Sequence, residues 1–170
     1  TSAVTAATED TVYTYDIVGD DDDTALTSLV FSSVGALPAW LTLVDAGDGT
    51  ATLTGTPNNG HVGDHSVTLQ LSDGALTANQ SFTVTVTNTN DAPSFTMPAA
   101  GDATEDLAYT YNLTSSDPDI GDTRTFAATT KPDWLTLTDN ADGTGKLSGT
   151  PTNNEVGTHN VVRSEEHTSE

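Results

Sequence analysis

A chain of 170 residues holds one domain of ordinary size or two small ones, and its 34% apolar content lies below the usual ~45–50%. Four Lys plus Arg against 25 Asp plus Glu leave a formal charge of −21, which excludes nucleic-acid binding through phosphate contacts and attraction to an anionic membrane surface. The absence of cysteine excludes disulfides and thiolate chemistry, and no apolar run approaches the ~18 residues of a membrane span. Much of the missing apolar material is replaced by threonine, whose branched Cβ suits a half-exposed pleated surface. The apolar residues alternate regularly, which points to many short strands around thin cores and not to disorder. So much negative charge opposes compaction, and a divalent cation is the simplest group to offset it.

In chain order, Thr1 falls inside a first strand that turns at "ATED" (Ala7 to Asp10). "VYTYDIV" (Val12 to Val18) and "LTSLVFSS" (Leu26 to Ser33) read as the next strands, joined by "GDDDD". "WLTLV" and "TATLTG" flank "DAGDG", a tight turn in which glycine supplies positive φ. "HSVTLQLSDG" is a strand that ends in a turn, and "QSFTVTVTN" is the last strand of the unit. No stretch has helical periodicity. Strands of this length, punctuated by Gly, Pro, Asn and Asp, predict an antiparallel β-sandwich.

The pattern then repeats. "ATEDTVYTYDI" (Ala7 to Ile17) returns as "ATEDLAYTYNL" (Ala103 to Leu113). "PAWLTLVDAGDGTATLTGTPNNGHVGDHSV" (Pro38 to Val67) returns from Pro132 to Val161 with roughly 18 of about 30 positions identical, at a spacing of about 94–96 residues. The expected organisation is all-β. A first repeat over 1–87 has an incomplete first strand, a linker covers 88–93, and a second repeat over 94–162 is incomplete. The repeat pattern calls for something like "TLQLSDG" after "HNVV", but the chain reads "RSEEHTSE" and the alternation stops. That octapeptide (163–170) resembles the in-frame translation of a sequencing adapter and is expected to be non-native, so both ends look cut from a longer array.

Strand alternation sorts the acids. If each strand reverses the last, Glu9 faces the linker at one end of the first repeat. The loop "SSDPDIGD" (Ser115 to Asp122) faces it at the other end of the second. The linker "TNTNDAPSF" adds Asn88, Asn90 and Asp91 directly before a proline. Calcium takes six to eight oxygens from carboxylates, amides and backbone carbonyls. Mixed Asp, Asn and Glu without His or Cys is that pattern, whereas zinc or copper would want nitrogen or sulfur. Asp117 and Asp119, two apart in an extended loop, can converge on one ion. The expected calcium ligands are therefore Glu9, Asn88, Asn90, Asp91, Asp117 and Asp119.

"TNTNDAPSF" is similar to the calcium linker of cadherins, "ATED" to their acidic motif after the first strand, "DPDIGD" to their D-x-D motif and "LQLSDG" to the turn before their last strand. Together with "LPAWLTL" and "GTP…N…VG", these motifs resemble the bacterial cadherin-like domains of dystroglycan type, also named Putative Ig domains. Such domains occur in long tandem-repeat surface proteins and adhesins. The resemblance covers nearly all of both units and implies two tandem Ig/cadherin-like β-sandwiches with calcium between successive domains. It adds Asp122 to the central set. It also implies outer half-sites: Asp21, Asp23 and Asp73 toward a preceding domain, and Glu105 and Glu155 toward a following one. One departure stands out. Where such repeats usually offer an acid in the "N-x-D-V-G" loop, the first repeat has His61, with Asp64 close by.

Catalysis is not expected. His65 and His159 share one repeat position, and nothing places a Ser or Asp with either as a triad. The acids show no spacing that singles out a glycosidase pair. The expected role is that of a calcium-rigidified spacer or adhesive module of an extracellular bacterial surface protein. Its partners are neighbouring repeats of its own chain, with copies of itself or a surface glycan or protein as further candidates. Two alternatives remain. Trp40 and Trp134 could stack on a sugar ring, although both sit where a core anchor would. A sandwich short of its last strand could also take a strand from a neighbouring chain and build a fibre.

Overall fold

In the computed structural model the chain is described over residues 2–168, so Thr1, Ser169 and Glu170 lie outside the described residues, and with them part of the first-strand and tail expectations. The chain divides into two compact units, Thr1–Thr89 and Asn90–Glu170. Both are built from strands and short 3-10 turns. No helix among the described residues is long and apolar enough to cross a membrane.

The first unit contains β1 (Ala6–Thr8), β2 (Tyr13–Val18), β3 (Val30–Ser33), β4 (Leu41–Asp45), β5 (Thr50–Gly55), β6 (Gly63–Ser72) and β7 (Thr77–Thr87). These form a four-stranded sheet, β1-β7-β6-β3, and a three-stranded sheet, β2-β5-β4. β1 runs parallel to β7, and every other pairing in the unit is antiparallel. These pairings agree with strict reversal of direction from strand to strand. The sheets bury one face each. On β2 the burial alternates through Tyr13, Tyr15 and Ile17, which meet Leu53 of β5, Val67 and Leu69 of β6, and Val84 and Val86 of β7. The threonines between them face outward, as period two requires.

The expected strand from Leu26 to Ser33 is shorter. Leu26–Ser28 forms a 3-10 turn, and the strand begins at Val30. Only Leu29 and Phe31 alternate into the core, while Leu26 is 46% exposed. β7 is longer than expected, beginning at Thr77 and not at Gln80.

The second unit contains β8 (Ser94–Phe95), β9 (Tyr109–Ser116), β10 (Thr123–Thr130), β11 (Thr136–Asp139), β12 (Thr144–Gly149) and β13 (Val162–Thr168). β11-β12-β9-β8 make one sheet and β10-β13 the other. β9, β12, β11 and β10 repeat β2, β5, β4 and β3. The core is smaller: Tyr111, Leu113, Phe126, Leu135 and Leu147.

β13 shows how the tail folds. Its pairing sets Phe126 opposite Glu165 and Ala128 opposite Arg163. The first repeat sets Phe31 opposite Leu71 and Ser33 opposite Leu69. The tail thus takes the register of β6 with Arg163 and Glu165 standing where the first repeat has two core leucines. The Arg163 guanidinium lies over the rings of Phe95 and Tyr111, at 5.4 and 5.3 Å from their centroids. Both Glu165 carboxylate oxygens are buried without a hydrogen bond among the described residues. The loss of apolar alternation after Val162 did not prevent a strand, because the backbone ladder with β10 is indifferent to side-chain polarity.

Candidate metal centre

In the second unit the loop between β9 and β10 carries Asp117, Asp119 and Asp122. Each offers a carboxylate oxygen, and the three oxygens lie within 4.8 Å of one another. The local chain makes this convergence. The Asp119 N–H donates to Asp117 Oδ1 at 2.9 Å, which folds the D-P-D segment back on itself. Gly121 at φ 101° then turns the chain toward Asp122 through a conformation that favours glycine. The Asp91 N–H donates to Asp119 Oδ2 at 2.6 Å and ties the start of the unit to the loop. Asp119 is 5% exposed, and Asp117, Asp122 and Asp91 are half-buried. Three carboxylates held this close repel one another unless a cation or protons intervene.

In the first unit Glu9 follows β1 and is 1% exposed. Its Oε1 accepts the N–H of Thr89 at 2.8 Å, while Oε2 is buried without a hydrogen bond among the described residues. A buried carboxylate oxygen with no donor is costly and suits a cation. Asn88 and Asn90 are exposed. The donor set is oxygen throughout, so these residues fit calcium in chemistry.

The acids assigned to outer half-sites differ. Asp21 and Asp73 both cap their own loops. Asp21 Oδ1 accepts the N–H groups of Asp23 and Thr24, and Asp73 Oδ1 accepts those of Ala75 and Leu76 at 2.7 and 2.6 Å. These hydrogen bonds hold both carboxyls below the usual range. Asp23 is pushed up by its contact with Asp21 and by the charges of Asp21 and Asp73. The three therefore gather at one end of the first unit, with Asp23 against Asp21, but among the described residues they do not form a group of three carboxylates within 4.8 Å of one another. Glu105 is exposed.

Glu155 has a local task that spacing could have revealed. Its Oε2 accepts from the N–H and Oγ1 of Thr152, at 2.7 and 2.6 Å, closing a capping box around a 3-10 turn. Those hydrogen bonds, with His159 nearby, lower its pKa. His61 does the same at the equivalent position, where Nδ1 accepts the Asn58 N–H at 3.1 Å. The substitution of His61 for an acid is thus an exchange of one cap acceptor for another. Asp64 lies on β6 and accepts from Thr85 Oγ1 across the sheet at 2.7 Å.

Neither histidine at the shared repeat position is set up as a base. His65 Nε2 donates to the His61 carbonyl at 2.6 Å, and the ring meets Trp40 edge-on at 5.7 Å. His159 packs on Trp134 in the same manner at 6.2 Å. Trp40 is 7% exposed and belongs to the core, so it offers no open face to a sugar.

A family model described as Putative Ig domain matches residues 1–87 and again 92–169. No curated protein matches the chain. Among solved structures the chain is similar to an endo-fucoidan hydrolase from glycoside hydrolase family 107, at 28% identity over 96% of this chain and 27% of that one, TM-score 0.46. It is similar to human protocadherin-24 EC1-2 at 16% identity, over 95% of this chain and 89% of that one, TM-score 0.49. The similarity to an I-band fragment of titin is 11% in identity, over 95% of this chain and 60% of that one, TM-score 0.38. The chain spans 26–32% of the length of the endo-fucoidan hydrolases it matches.

Proposed function

The chain belongs to the Putative Ig domain family, and on that premise we propose that it is a calcium-stiffened repeat segment of an extracellular bacterial surface or adhesin protein. The observation that carries this reading is the convergence of Asp117, Asp119 and Asp122 on one loop, with Asp91 hydrogen-bonded to Asp119. Asp91 belongs to the linker. A cation held by the loop and by Asp91 would fix the linker to the second repeat. Glu9, Asn88 and Asn90 are the further oxygen ligands of this reading. Without the ion the clustered carboxylates repel, and the linker becomes a hinge. The role is mechanical: adhesion, where the parent protein provides it, can reside in other domains.

The test is thermal unfolding in EDTA, in magnesium and in calcium. An ion that binds only the folded state adds about 2.7 kcal/mol at a hundred times its Kd. A calcium-specific rise is expected, lost in the double variant Asp117→Ala, Asp119→Ala and reduced in Glu9→Gln. Identical unfolding in EDTA and calcium would leave the acids as ordinary solvated loop residues.

A further inference from the structure

The loop between β9 and β10 is closed at its base by an arginine. Arg124 stands two residues beyond Asp122 and is half-buried. Its Nη1 donates to the Ser115 carbonyl at 3.4 Å, at the start of the loop. Its Nη2 donates to the Asp142 carbonyl at 3.2 Å, in the turn between β11 and β12. The backbone ties the same three places: the Ser115 N–H donates to the Gly143 carbonyl at 3.0 Å, and the Gly143 N–H to the Arg124 carbonyl at 3.3 Å. The guanidinium lies against Gly143, where a Cβ would stand 2.7 Å from Nε and 2.8 Å from Cζ.

The first repeat has the same backbone frame without the arginine. The Gly19 N–H donates to the Gly49 carbonyl at 2.8 Å, as Ser115 does to Gly143, but Leu29 stands at the Arg124 position and is 1% exposed. The loop there carries Asp20, Asp21, Asp22 and Asp23. Among the described residues no three of those carboxylates come within 4.8 Å of one another, whereas the loop braced by Arg124 brings Asp117, Asp119 and Asp122 that close. Stability does not account for the arginine. Its Nε is buried with no hydrogen bond among the described residues, and an apolar residue in such a place is commonly as stable as a partly satisfied charge.

We propose that Arg124 is the positioning residue of the metal loop: its fork fixes both ends of the loop, so that the three carboxylates converge before an ion arrives. This rests on the calcium reading of that loop. The planar guanidinium reaches two carbonyls at a fixed spacing, which the point charge of a lysine does not reproduce. A loop ordered in advance spends less on binding and so binds more tightly. Charge alone would act in the opposite direction, because a cation beside the site repels calcium.

The experiment compares the natural chain with Arg124→Leu and Arg124→Lys. Calcium affinity is read by titration calorimetry. Loop order is read in EDTA by hydrogen exchange of the Asp119 amide, which donates to Asp117 Oδ1. Both variants should bind calcium about tenfold more weakly, and their Asp119 amide should exchange about threefold faster or more. The thermal midpoint of Arg124→Leu in EDTA should not fall, so that the lost affinity is not lost folding. Equal or tighter calcium binding by Arg124→Leu would overturn the proposal and leave the calcium reading intact. No calcium binding by the natural chain would overturn that reading. The exchange rates need no metal and then decide for Arg124: faster exchange upholds it as the brace of the loop, and unchanged exchange overturns it.

Discussion

The two repeats share a sequence pattern but differ in how completely their cores are covered. In the first, β7 lies between β1 and β6, and its Val84 and Val86 are 0% and 2% exposed. In the second, the equivalent place is a groove, and the strand at the β6 position sets Arg163 and Glu165 where the first repeat sets Leu69 and Leu71. The difference teaches what is local and what is cooperative in this fold. Turns and caps form in both repeats because each is specified within a few residues, and the sheet of β9, β11 and β12 matches that of β2, β4 and β5 because all three of its strands are present in both repeats. Burial of Ala103, Trp134 and Val161 is not local, because it requires a strand from far along a chain.

The largest expected effect falls on a feature that both repeats keep. A Cβ at Gly55 would collide with the Trp40 carbonyl, and one at Gly149 with the Trp134 carbonyl. The tryptophan anchor and its glycine are therefore one device. Gly55→Ala and Gly149→Ala should each cost about 3 kcal/mol or more, read as a fall in the urea midpoint of the altered repeat. Tolerance of alanine at Gly149 alone would show that the second repeat is too loosely packed to hold the device.

The next effect sharpens the contrast in the cores. Glu165→Leu removes a buried carboxylate that lacks a hydrogen-bond donor among the described residues and restores the residue type of Leu71. It should raise the stability of the second repeat by about 1–3 kcal/mol, seen as a higher thermal midpoint. No gain would mean that Glu165 is solvated in solution.

Tyr13 separates the repeats by pH. Burial, with Tyr15 beside it, pushes its phenol up to about 12, and its hydroxyl donates to the Val4 carbonyl at 2.7 Å. The folded pKa exceeds the ordinary value of 10, so this contribution is complete below pH 10 and lost as pH rises through about 12. Tyr13→Phe should cost about 1 kcal/mol at neutral pH and flatten the loss of stability between pH 10 and 12. Tyr109 is also raised by burial, and Arg163 opposes the shift. The smallest effect is expected at Ala141, which holds φ 56° where the first repeat has Gly47 at 71°. Ala141→Gly should add about 1 kcal/mol to the second repeat, and Gly47→Ala should cost the first a similar amount.

Much of the fold was legible because period-two alternation and a near-identical repeat both point to the same strands. Leu26 to Ser28 was misassigned because the alternation breaks there, at Ser28 followed by Leu29, and a turn fits the break. β13 was illegible for the opposite reason: its side chains carry no apolar pattern, and only the ladder with β10 makes it a strand. At the candidate site the D-P-D spacing of Asp117 and Asp119 signalled convergence, and the loop supplies it. The role of Glu155 was hidden because an acid in an acidic chain suggests a ligand before it suggests a cap. Its spacing of three from Thr152 carried the signal. Asp21 and Asp73 likewise have backbone N–H groups of their own loops to satisfy.

The central claim is that the Asp117–Asp119–Asp122 loop with Asp91 holds calcium. Titration calorimetry of calcium into the chain and into Asp119→Asn tests it directly, since Asp119 is the most buried member of the group. The account predicts a saturable calcium isotherm for the natural sequence, with no matching response to magnesium, and its loss in the Asn variant. The same isotherm in both proteins, or no calcium binding by either, would contradict it.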